Sequence, residues 1–400
     1  MKVVYYYWGE LIADTAQKVL KQFFTELKIV SPNRISYDYD DSFINEIEKN
    51  IIDENGNTKY DAVFSFNYFP DLSRIALKCG IKYISWVYDS PHITLESKTI
   101  SNICNKIFVF DYKLYSKYKL LNIDTVYYMP LPARIIDHYE KNGKIAYEHD
   151  ITFLGNLYDG EQDQFGKIKF LPGYIEGYIE ALIAAQKNVY GLDLFDELIS
   201  DDVLSEVQNY VHFGMGDYYC KCDADIFKDI LRRRVTMNER TEVLIRLGNL
   251  FADACDGINE SENKSVNVDL YCGTEHPNLP VRNLGFADYS EEMPHIFYSS
   301  KINLNITLRS IQTGIPLRIM DILGAGGFCI TNYQIELEQY FENGVDLVWY
   351  ESMDDLESKC KYYLEHDDER ELIAKRGQEK VKKLFSYNQL LKKIINICNE

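Results

Sequence analysis

The sequence predicts an α/β protein of two doubly wound, Rossmann-like domains, with a helical insertion in the second. Three observations predict this. Short apolar runs alternate with helical stretches from residue 1 to about 145, as in a parallel sheet covered on both faces. The alternation lapses in the polar stretch around Lys141-Asn-Gly-Lys144 and resumes at Asp150-Ile-Thr-Phe-Leu-Gly155. A chain of 400 residues, 46% hydrophobic and 26% charged, is too long for one ordinary core.

In the first domain, 1–145, Lys2 to Trp8 is a strand, Glu10 to Leu27 a helix, Arg34 to Tyr39 a strand and Asp41 to Ile52 a helix. Further strands are expected at Asp61 to Phe66, Tyr83 to Tyr88, Lys106 to Phe110 and Thr125 to Met129. Pro130-Leu-Pro132 opens a linker. In the second domain, 146–377, strands follow at Val268 to Gly273, Leu284 to Phe286, Lys301 to Thr307, Phe328 to Thr331 and Asp346 to Tyr350. The insertion, about 160–235, is far longer than a strand-to-helix connection requires. Ser352-Met-Asp-Asp355 has the spacing of a capping box, and an amphipathic last helix is expected from Gln378, within 378–400.

The formal net charge of −19, from 62 acidic and 43 basic residues, argues against a nucleic-acid backbone or an anionic membrane as partner. Arg232-Arg-Arg234 reads as a solvated helix face. Nine scattered cysteines fit a reducing compartment, and Cys220-Lys-Cys222 lacks the companions of a metal site. The amino-terminal apolar run is too short for a signal peptide, and no run is long enough to span a membrane, so a cytoplasmic protein is expected. Asp38-Tyr-Asp40 reads as a solvated turn, and no metal is expected.

The chemistry concentrates in Ser310-Ile-Gln-Thr-Gly-Ile-Pro-Leu-Arg-Ile-Met-Asp321, followed by Gly324 to Thr331: loop, short helix opened by Pro316, then buried strand. Arg318 and Asp321, three apart, share a helix face. Free amides at a helix start suit a diphosphate, a guanidinium adds a cationic fork, and a carboxylate one turn on can accept from ribose hydroxyls. At the end of the fourth expected strand, Asp89 is followed by Pro91 and His92.

The segment Gly314-Ile-Pro316-Leu-Arg318-Ile-Met-Asp321 resembles the donor-binding segment of glycosyltransferases with the GT-B fold, in the group of family 4 enzymes and spore-maturation-type proteins. The resemblance runs on through Gly344 to Tyr350, Tyr362 to His366, Arg376-Gly377 and Phe385-Ser-Tyr387, and Tyr83 to Pro91 resembles a signature of the preceding domain. It implies two domains facing a cleft, a last helix that crosses back to the first, and transfer of a sugar from a nucleotide-diphosphate donor, a UDP-sugar first, to a hydroxyl-bearing acceptor. The resemblance leans toward retention of configuration, and no metal and no other cofactor are called for. Donor-binding residues implied are Gly155, Asn156, Thr313, Gly314, Ile315, Arg318 and Asp321; Asp89 and His92 would serve catalysis, accepting the acceptor's proton or orienting the donor. Tyr271 to His276 is where the base is often contacted.

Two positions depart from the family pattern. Thr313 stands where a second acidic residue is usual, and Asn156 where a basic residue often follows the strand-end glycine. A nucleotide-sugar epimerase on the same fold and a non-catalytic scaffold in surface or spore assembly stay open at this level. Acceptor identity, oligomeric state and the insertion's task are not legible.

Overall fold

The computed structural model describes residues 1–34, 40–137, 146–168, 170–212, 223–252 and 266–399. They form two compact units, Met1–Pro132 together with Leu384–Glu400, and Ala133–His212 together with Asp223–Lys383.

The first unit is built on a parallel sheet of β1 (Lys2–Tyr6), β2 (Glu26–Val30), β3 (Ala62–Phe66), β4 (Lys82–Trp86), β5 (Asn105–Val109) and β6 (Val126–Tyr128). Their spatial order is β2-β1-β3-β4-β5-β6, every pair parallel. The order reverses at β1 and β3, the crevice where doubly wound folds bind ligands beyond the strand ends. Val4, Val63, Tyr83 and Ile107 meet Phe43, Ile47 and Leu72 in one core.

The second strand differs from expectation. The helix ends at Phe23, Phe24 is extended, and Glu26–Val30 pairs with β1 from Lys2↔Glu26 to Tyr6↔Val30. The helix expected over Glu10 to Leu27 ran too far because Phe24 and Leu27 continue its apolar pattern, whereas β-branched Ile29 and Val30 pack better on a pleated surface. The expected strand's residues 35–39, Asp38 among them, lie outside the described residues, as do Cys220 and Cys222. Asp40 is the N-cap of helix Asp41–Ile51, accepting from the Phe43 amide at 3.0 Å.

The second unit holds β7 (His149–Leu154), β8 (Val268–Tyr271), β9 (Arg282–Asn283), β10 (Ser300–Asn305), β11 (Cys329–Asn332) and β12 (Val348–Tyr350). Their order is β12-β11-β10-β7-β8-β9, again all parallel, with the reversal between β7 and β10. The strand expected at Leu284 to Phe286 is shorter and earlier. The Leu284 amide still reaches the Leu270 carbonyl, but Phe286 is exposed.

Helices Gly173–Lys187, Leu194–Leu198, Asp201–Val207 and Asp223–Ala252 make the inserted layer. Arg232 is no solvated face. It is 6% exposed and paired with Asp193 and Asp196 at 2.6 and 2.9 Å.

The single last helix expected from Gln378 is two, Asp367–Leu384 and Tyr387–Asn399. They break at buried Phe385 and at Ser386, whose carbonyl accepts from the Gln389 and Leu390 amides. The division between the units falls there, so Tyr387–Asn399 packs within the first unit on helix Ala13–Phe23 and on β5.

Candidate active site

Within the second unit the site grows from the two strands that flank the reversal. Chain leaves β7 into Gly155 and Asn156, and leaves β10 through Ile306 into the loop that ends at Pro316. Helix Leu317–Gly324 starts one residue later than expected, with Pro316 as its N-cap in extended conformation. Among the described residues, no protein acceptor takes the backbone amides of Gly314 and Ile315. Two unsatisfied donors ahead of a helix start are chemically suited to an anion.

Arg318 and Asp321 do share a face, at 3.9 Å, too long for a hydrogen bond. Arg318 lies over the Phe297 ring, 5.4 Å from its centroid, with Nη1 3.1 Å from the Met293 sulfur. The Tyr289 hydroxyl donates to Asp321 Oδ1 at 2.9 Å. Burial pushes the Asp321 carboxyl up to about 6, with Arg318 and Arg134 opposing. Arg134, Tyr289, Met293, Phe297 and Asp321 line one small pocket.

The loop before this helix is tied down residue by residue. The Arg309 guanidinium pairs with Glu239 at 2.8 Å and donates to the Val189 carbonyl at 3.0 Å, while its amide donates to Thr236 Oγ1 at 2.9 Å. Ser310 Oγ bonds Asp229, and Gln312 Nε2 donates to Asp193 and Asp196 at 2.9 and 2.8 Å. Thr313, the non-acidic departure, donates to Glu336 Oε1 at 2.7 Å, so a carboxylate stands next to the hydroxyl after all. Glu336 is buried beyond β11 and was not visible as a partner from sequence.

Arg240 is the residue that sequence reading missed. From helix Asp223–Ala252 its Nη1 donates to the Asn156 carbonyl, and Nε and Nη2 donate to the Ile306 carbonyl at 3.2 and 2.6 Å. A cation therefore reaches the loop after β7 although the chain neighbour there is Asn156. A signal existed: Arg240 falls on the helix's buried stripe with Val235, Thr236, Val243, Leu244 and Leu247. Farther along the strand ends, His276 Nδ1 lies 3.3 Å from Asp159 Oδ2, joining the Tyr271 to His276 segment to the loop after β7.

In the first unit Asn67 is a hub at the reversal between β1 and β3. Its φ of 60° is left-handed, uncommon for a residue with a side chain. Its Oδ1 accepts from the Tyr88 amide at 2.9 Å, and its Nδ2 donates to Asp89 Oδ2 at 2.7 Å. Asp89 is thus held from the residue that follows β3. Beside it the Trp8 indole N–H donates to the Phe66 carbonyl at 2.9 Å.

The Thr94 hydroxyl donates to the Tyr68 carbonyl at 2.6 Å, so its 3.3 Å contact with His92 Nδ1 requires the ring nitrogen to donate. The Nε2 lone pair is left without a partner in a buried position. Burial lowers the His92 pKa to about 4, against the pull of the Asp89 carboxylate. At neutral pH the His92 ring is therefore neutral.

Comparison with known proteins bears on the fold. A family model described as glycosyl transferase-like matches residues 254–396. No curated protein sequence matches the chain. Among solved structures, sucrose-phosphate synthase from Thermosynechococcus elongatus superposes with a TM-score of 0.51 at 9% identity, covering 100% of this chain and 98% of that one. Anabaena HepE in complex with UDP gives 0.49 at 8%, covering 100% of both. S. aureus TarM gives 0.47 at 9%, and this chain spans 57% of its length, with 89% of this chain covered. At such identities the likeness carries the fold, two parallel α/β units of the GT-B kind. Among the described residues no helix is long and apolar enough to cross a membrane.

Proposed function

We propose, on the premise that this chain is a glycosyltransferase of the GT-B fold, that its second unit binds a nucleotide-diphosphate-sugar, a UDP-sugar first among candidates. The sugar passes to a hydroxyl group of an acceptor handled by the first unit. The observation that carries the reading is the set of groups converging where the second sheet reverses: the free amides of Gly314 and Ile315, Arg318, and Asp321 one turn along the same helix.

In the transfer, the bond from the sugar C1 to the phosphate oxygen breaks and its electron pair leaves on that oxygen. The amides and Arg318 meet the growing negative charge, so no divalent cation is called for. Asp321, ionised, accepts from the ribose hydroxyls once Tyr289 yields its place. A new bond forms between C1 and the acceptor oxygen, whose proton must leave. With retention, the course the family-4 resemblance suggests, the departing phosphate oxygen can take that proton while Asp89 and His92 orient the reacting groups; with inversion His92 Nε2 is the base.

A panel of nucleotide-sugars tests the reading by thermal stabilisation and by nucleotide release. UDP-sugars should stabilise the protein and be slowly hydrolysed, with and without EDTA. Arg318→Ala should slow release by about 10²–10³-fold, and the anomeric proton coupling of the released sugar should report retention. If no nucleotide-sugar raises the melting point or is turned over, the transferase reading of the site is wrong.

A further inference from the structure

The inserted helix Asp223–Ala252 carries a buried arginine with no ion-pair partner among the described residues. Arg240 is 8% exposed. Other buried arginines have carboxylates: Arg232 pairs with Asp193 and Asp196, and Arg370 with Asp367 at 2.7 Å. Among the described residues Arg240 has no carboxylate within ion-pair distance. Its hydrogen bonds go to two backbone carbonyls, those of Asn156 and Ile306. The Tyr158 side chain is its further polar neighbour, and no carboxylate meets the guanidinium directly.

Its surroundings raise the cost further. Burial lowers the Arg240 pKa and the charge of Arg318 acts with it, while Tyr158 and the Glu239 carboxylate oppose them without cancelling the shift. Burying a cation with no carboxylate in direct contact is expensive, and an anionic ligand would offset that cost. The place fits that purpose. The two carbonyls follow β7 and β10, the strands that flank the reversal, and a Cβ built on Gly155 would lie 3.7 Å from Arg240 Nη1. The bare glycine and the guanidinium therefore border the same space. Tyr158 closes the loop around the cation, its ring centroid 5.0 Å away, in a left-handed conformation at φ 63° that a tyrosine seldom adopts.

We propose that Arg240 binds the diphosphate of the donor, supplying from the inserted helix the cation that the chain lacks at Asn156. This rests on the donor site proposed above. It gives the helical layer a part in the reaction itself: the layer brings a guanidinium to the strand ends that Arg318 approaches from the opposite side of the sequence.

Titration of the full chain with UDP, uridine and inorganic pyrophosphate tests it, with Arg240→Met and Arg240→Lys beside the wild type. The wild type should bind UDP more tightly than uridine, and pyrophosphate should compete with UDP. Arg240→Met should weaken UDP by about 10–100-fold and leave uridine within about twofold, with Arg240→Lys recovering part of the loss. A purely structural arginine would weaken both ligands in parallel or neither, and either result overturns the proposal. Should Arg240→Met fail to fold, the UDP-to-uridine ratio of Arg240→Lys decides: unchanged from the wild type, it sinks the idea. If the wild type binds pyrophosphate in an Arg240-dependent way but neither UDP nor uridine, the anion site stands and the nucleotide-sugar reading falls.

Discussion

Asp321 shows at the scale of one residue how a binding group is maintained at the expense of the fold. Its folded pKa is raised to about 6 from an ordinary 3.8 by burial. An acid with a raised folded pKa stabilises the fold at low pH, and that contribution is lost as pH rises through about 6. At pH 7.5 the buried carboxylate is therefore a burden of roughly 1–3 kcal/mol. Asp321→Asn should raise the melting temperature at pH 7.5 and leave it nearly unchanged at pH 4, while weakening UDP binding. Equal Tm changes at both pH values would show that folding does not raise the pKa of this carboxyl. The pair Arg318 and Asp321 was legible in sequence because three-residue spacing on a helix fixes a shared face. Their partners Met293 and Tyr289 were not, since nothing local links them across the 25 and 32 residues that separate them from those two. Glu336 at Thr313 and Arg240 at Asn156 escaped for the same reason.

Among elements, the inserted helices explain the shape of the donor loop. Arg309, Ser310 and Gln312 each reach a residue of the layer, so the amides of Gly314 and Ile315 are presented by a loop held from outside its own sheet. Gln312→Ala removes two bonds to Asp193 and Asp196 without opening the core. It should lower kcat/KM for a UDP-sugar by about tenfold through misplacement and shift stability by only about 0.5 kcal/mol. A variant with full activity would show that the loop keeps its form unaided. Strand periodicity found most of both sheets, because buried parallel strands are apolar throughout. It misplaced β2, where the end of a helix and the start of a strand share one apolar stretch. The break at Ser386 was hidden because Gln378 to Ile397 keeps helical periodicity across it.

For the whole molecule, two separate cores imply two cooperative events. Calorimetry should give a van't Hoff enthalpy smaller than the measured one, and UDP at a hundred times its Kd should add about 2.7 kcal/mol to the second unit alone. A single transition shifted as one by UDP would contradict that division. The helix Tyr387–Asn399 has a further consequence for how the polypeptide is made. Leu390, Leu391, Ile394 and Cys398 are buried, Lys82 Nζ bonds the Cys398 carbonyl, and the Trp86 and Tyr387 rings stand 6.2 Å apart. The ribosome finishes β1–β6 long before it delivers the helix that seals them. Throughout the synthesis of the intervening 251 residues, 133–383, the nascent amino-terminal sheet carries an uncovered greasy flank, a natural target for a chaperone. Fragment 1–132 produced alone should precipitate, and co-production of 384–400 should restore it to the supernatant.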